Sequence, residues 1–168
     1  RITALWATPN AHGNRRKGLV MGNVQSGKTR NFAGVIAKAG DAGYKFVIVL
    51  SGMHNNLREQ TQARLNSQLF HGNGWYPLTT AQDDFEVPTK PNELFLHQPI
   101  LCAVVKKNTN RLEKLVAMMS DPAVQNVLPK IPVLIVDDEA DQATPNSLRE
   151  KDEVSTINRL LRDLWGTV

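Results

Sequence analysis

Along this chain short apolar runs alternate with longer amphipathic ones, a rhythm that predicts strand–helix units stacked around a parallel sheet. Leu19, Val20 and Met21 predict a short strand ending at Gly22, and residues 27–39 predict a helix stopped by Gly40. Residues 45–50 predict a second strand, apolar after its first residue, as burial on both faces requires. Residues 54–69 predict a helix with Leu57, Leu65 and Leu69 on one side. Two more strands are expected at 100–105 and 133–137, with a helix near 110–119 between them. A last helix is expected over 154–165, where Ile157, Leu160, Leu161 and Leu164 share a face.

Residues 71–99 break the rhythm with prolines at 77, 88, 91 and 99, a turn at 72–74 and the acids Asp83 and Asp84. So long an irregular stretch is uncommon in a compact domain. A functional excursion, a small hairpin and a disordered insert all fit it.

Composition narrows the picture. The 168 residues, 41% of them apolar, suit one domain, residues 1–168, with a real core and rule out a wholly disordered chain. No apolar run approaches the ~20 residues of a membrane span, and no charged-then-apolar leader opens the chain, so the expected compartment is cytoplasmic. The single cysteine, Cys102, cannot form an internal disulfide and falls within an apolar run, which predicts a packed core residue. A formal charge of +4 permits a polyanionic partner without demanding one. Beginning at Arg1 and ending at Val168, the chain is expected to be a piece of a larger protein.

The chemistry concentrates in two places. Residues 22–29 read GNVQSGKT, matching G-x-x-x-x-G-K-[ST] between an expected strand and an expected helix. Gly22 and Gly27 let the backbone bend so that the amides of Asn23, Val24, Gln25 and Ser26 can face an anion, and the helix adds its positive end. Lys28 would then reach the β- and γ-phosphates of a nucleotide, and the Thr29 hydroxyl would ligate Mg²⁺. The second place is VLIVDDEAD at 133–141, an apolar strand delivering Asp137, Asp138, Glu139 and Asp141 to its carboxyl end. Such a cluster needs a cation, which Mg²⁺ bound with nucleotide would supply. In the preferred register Asp138 holds the metal and Glu139 activates water; in the alternative Asp137 holds it.

These two motifs together resemble the first RecA-like lobe of superfamily-two helicases and translocases. More narrowly, the chain is similar to the Z-one domain of endonuclease-labelled and defence-type ATPase proteins. The resemblance rests on VQSGKT (24–29), NNLREQTQ (55–62), LTTAQDDF (78–85), VVKKN (104–108) and IVDDEADQA (135–143). It implies an α/β RecA-like P-loop NTPase lobe, with a mostly parallel sheet flanked by helices, that hydrolyses ATP with Mg²⁺ in DNA transactions. RNA is not excluded. A second RecA-like lobe would complete the cleft. Two departures matter: residues 1–21 hold no glutamine to read adenine, and the chain ends before a Ser/Thr-Ala-Thr element.

Other readings stay open. The protein could be a nucleotide-gated switch that holds a protein partner, or the acids could serve a metal-dependent nuclease, for which Asp83, Asp84 and Glu86 with Lys90 are a poor pattern. Arg15–Lys17 and the group Lys106, Lys107, Arg111 and Lys114 are either phosphate-backbone contacts or solvated faces. Asn55, Asn56, Arg58 and Gln60 either touch phosphate and sugar or simply open a helix, with Asn55 or Asn56 as its cap.

Overall fold

The computed structural model describes residues 18, 28–70, 74–97, 99–140 and 155–168. The strand expected at 19–21 lies outside them. Four strands form one sheet: β1 (Phe46–Ser51), β2 (Tyr76–Pro77), β3 (Leu101–Lys106) and β4 (Val133–Asp137). Their order is β2-β3-β1-β4, and every neighbouring pair is parallel. Among the described residues six α-helices accompany them: α1 (Lys28–Asp41), α2 (Asn55–Gln68), α3 (Pro91–His97), α4 (Thr109–Ser120), α5 (Pro122–Gln125) and α6 (Thr156–Thr167).

Side-chain alternation along β1 builds the layers. Phe46, Ile48 and Leu50 face a core shared with Leu112, Leu115 and Met119 of α4 and Leu161 and Leu164 of α6. Val47 and Val49 face the opposite core, with Ala33 and Ile36 of α1 and Leu65 of α2. Both faces are therefore covered, and every residue of β1 is buried. Each such aliphatic side chain contributes ~1.5–3 kcal/mol by leaving water, which explains why an unbroken apolar run became a central strand. β4 is half-buried throughout and is the terminal strand among the described residues.

The sequence misplaces the end of α1. The helix runs through Gly40, whose missing side chain serves packing and not a stop: a Cβ would lie 2.8 Å from Ile100 Cδ1 and 3.1 Å from Trp75 Cζ2. Gly43, at φ 96°, makes the stop instead. Its amide donates to Gly40 O, and Tyr44 N donates to Ala39 O, both at 3.0 Å, the paired bonds of a left-handed helix terminus.

The described part of the 71–99 excursion is ordered rather than a hairpin. It supplies the two-residue edge strand β2, a loop laid along β3, and α3, whose Phe95 meets Phe46 edge-on at 5.2 Å.

Candidate functional site

The acidic turn leaves the sheet where the pattern predicts. β4 ends at Asp137, and Asp138 N still donates to Leu50 O at 2.9 Å, so the ladder with β1 holds the turn's first residue. Glu139 then turns back with φ 57°, a left-handed conformation that costs a non-glycine residue ~1–2 kcal/mol. Its Oε2 is buried without a hydrogen-bond partner. The carboxylate lies over Gly52, just past β1, where a Cβ would fall 2.4 Å from Oε2.

Among the described residues the cation of this turn is Lys107, which is fully buried. Its Nζ donates to Asp137 Oδ1 at 2.8 Å, to Asp138 O at 2.9 Å and to Glu139 O at 2.8 Å. Thus part of the charge that the acids require is built into the protein. The Asp137 carboxylate, which the alternative register would put on the metal, is bound to this ammonium. Asp138 and Glu139 remain the carboxylates of the preferred one, and Asp141 lies outside the described residues.

Sequence reasoning grouped Lys107 with a basic surface, and the structure corrects this. The signal was present: of two adjacent lysines continuing a buried strand, alternation turns one inward. Lys106 is the outward one, and its Nζ donates to Asn55 Oδ1 at 2.6 Å. Arg111 and Lys114 are held as well, both by Glu86, with Lys114 Nζ 2.5 Å from Oε2. Side chains of the nuclease-like pattern are held in the same way. Lys90 pairs with Glu93 at 2.8 Å, while Asp84 and Glu86 face arginines and a lysine.

Next to this turn, residues 78–86 form a strap across the edge of β3. Beyond the short β2, the edge amides of Val104 and Lys106 find side-chain acceptors, Thr79 Oγ1 at 2.9 Å and Asp84 Oδ1 at 3.4 Å. α2 secures the strap. Arg58, only 2% exposed, donates to Thr80 O at 2.8 Å and Ala81 O at 2.5 Å, and its Nε lies 3.9 Å from Asp84 Oδ2. Thr79 Oγ1 donates to Gln62 Oε1 at 2.7 Å. Arg58 is therefore an internal tie and not a phosphate contact. The cap of α2 is His54 rather than either asparagine, and its side chain makes no capping bond.

Residues 22–27 of the phosphate-loop motif (Gly22, Asn23, Val24, Gln25, Ser26 and Gly27) and residues 15–17 lie outside the described residues. Lys28 and Thr29 open α1. The far end of α1, at Gly40, packs against Ile100 and Trp75 beside the starts of β3 and β2, and its middle packs across β1. The helix therefore runs against the strand direction, and its first turn heads for the sheet's carboxyl edge, where the acidic turn emerges.

Among the described residues no group of three or more His, Cys, Asp or Glu side chains could hold a metal ion, and no helix is long and apolar enough to cross a membrane. No family model, no curated protein and no solved structure matches the chain.

Proposed function

We propose that this chain is the ATP-binding and hydrolysing lobe of a DNA-acting, helicase- or translocase-like protein with a RecA-like fold, as the resemblance to the Z-one domain implies. One observation carries the reading. A parallel sheet projects Asp138 and Glu139 from its carboxyl edge, toward which the helix beginning with Lys28 and Thr29 also points. Ligand sites of open α/β sheets form at that edge.

In this reading the 22–29 loop binds the phosphates, Lys28 neutralises them, and Glu139 orients the attacking water. The oxygen donors Thr29 and Asp138 suit a hard divalent cation, and would hold the Mg²⁺ that offsets charge on the nucleotide. A second RecA-like lobe completes the cleft, so the isolated chain binds nucleotide better than it turns it over.

Thermal unfolding with and without Mg-ATP tests the reading. Ligand at a hundredfold its Kd stabilises by about 2.7 kcal/mol, a rise of about 5–11 °C for a domain of this size. Lys28→Ala should abolish the rise. In the full-length protein Glu139→Gln should keep binding and stop hydrolysis, and DNA should stimulate wild-type turnover in a salt-sensitive way. Failure of full-length protein to bind ATP would overturn the proposal. ATP turnover indifferent to DNA would favour the protein-partner switch.

A further inference from the structure

The Lys107 ammonium does more than balance Asp137. Among the described residues its acceptors include the backbone carbonyls of Asp138 and Glu139, which belong to the peptide planes on either side of the Glu139 α-carbon. Drawing both carbonyls to one point limits the φ and ψ available between them. The residue so bracketed is the one described non-glycine residue with positive φ. Strained backbone persists only where its surroundings over-determine it, and here a three-donor ammonium does so. The lysine is itself rigidly placed, since it follows β3 directly and its amide donates to Ser51 O at 3.4 Å.

We propose that Lys107 is a positioning residue: it holds Glu139 in its left-handed conformation and so aims the carboxylates of the acidic turn. The assignment of a chemical purpose to that aim rests on the ATPase reading above, whereas the conformational claim does not. Lys107 need not touch nucleotide or metal. It acts through the turn.

The test separates positioning from mere stability. Lys107→Met leaves Asp137 and two carbonyls without their ammonium and can unfold the chain, so the informative variant is Lys107→Met combined with Asp137→Leu. Replacing both partners of a buried pair with apolar groups commonly preserves stability. Backbone NMR of wild type and double variant is then compared at residues 138–140, using the three-bond HN–Hα coupling and the intraresidue NOE of Glu139 to report φ. The expected result is a double variant that folds, with a Tm above that of Lys107→Met alone, whose Glu139 has left the left-handed region. In the full-length double variant kcat for ATP should fall at least tenfold with KM little changed.

A stable double variant with wild-type signals at 138–140 would overturn the proposal, as would recovery of kcat along with Tm. If wild-type protein neither binds nor hydrolyses ATP, the functional reading fails while the NMR comparison still decides what Lys107 does. Should the double variant fail to fold, Lys107→Arg supplies the same comparison: its planar fork cannot reproduce the three bonds of an ammonium, and an unchanged Glu139 conformation there would overturn the idea.

Discussion

Glu139 and Gly52 are in contact across the carboxyl edge of the sheet: a methyl group on Gly52 would sit 2.4 Å from Glu139 Oε2 and 2.8 Å from Leu57 Cδ1. Both obstacles are the free ends of flexible side chains, so the fold can yield to them. Gly52→Ala is therefore expected to cost only ~1 kcal/mol, at the low end for overpacking, while displacing the carboxylate. Urea unfolding should show a small loss of stability, and, on the ATPase reading proposed above, ATP hydrolysis by the full-length protein should show a large loss of turnover. Adding Glu139→Ala should return most of the stability, since it removes one of the two clashing groups. A Gly52→Ala protein with wild-type turnover would show that the position of this carboxylate is unimportant.

The strap over β3 depends on one guanidinium. Arg58→Met keeps the hydrocarbon bulk but removes the donors to Thr80 O and Ala81 O and the charge facing Asp84. Hydrogen bonds from a charged donor are worth ~1.5–3 kcal/mol each, and Asp84 retains Arg111, so a loss of ~3 kcal/mol is expected. Much of the effect should be local. Hydrogen exchange should accelerate at the Val104 and Lys106 amides, whose acceptors are strap side chains, while the Ile48 and Val49 amides at the sheet centre change less. Uniform acceleration across the sheet would mean that Arg58 supports the whole fold and not the strap.

How much of this was legible in the sequence differs from element to element. Strands β1, β3 and β4 were, because burial on both faces demands unbroken apolar runs, and the pattern placed each within a residue or so of where it lies. The packing of α2 was not. Its buried positions are Arg58, Thr61, Gln62 and Leu65, so the stripe is mostly polar and hydrophobic periodicity is nearly silent. Arg58 and Gln62 are buried because their partners, Thr79, Thr80, Ala81 and Asp84, arrive from a distant loop. Gly40 failed for a related reason, as a tertiary contact with Ile100 and Trp75 looks the same in sequence as a helix stop. At the site, Asp138 and Glu139 were picked from local spacing. Lys107 was passed over because its acceptors lie ~30 positions away in the chain.

Glu86 gives a pH signature. Hydrogen bonds from Lys114, then from Arg111, hold its carboxyl below the ordinary range, although the side chain is 59% exposed. A carboxyl depressed in the folded state stabilises the fold above its unfolded pKa, and that contribution disappears as pH falls through the folded value. An NMR titration should find Glu86 titrating below an ordinary glutamate, with Lys114→Met moving it upward. Because the group is exposed, 1 M salt should weaken the shift by screening. A Glu86 titration unaffected by Lys114→Met would show that the ion pair does not persist in solution.

Cys102 offers a probe of the sheet itself. It lies in β3 opposite Val47 of β1, and burial pushes its thiol up to about 12. At pH 8 the folded protein should then hold almost no thiolate, the species that attacks an alkylating reagent. Reaction requires opening of the β1–β3 pairing, so labelling should be slow in native buffer and accelerate with urea along the unfolding curve. The Arg58→Met variant sharpens the test, because it loosens the strap beside β3 while leaving the strand between its neighbours. If strap opening stays local, the variant labels only as fast as its global stability dictates. Labelling much faster than that would show that the strap and the sheet edge open as one unit, exposing β3 without global unfolding.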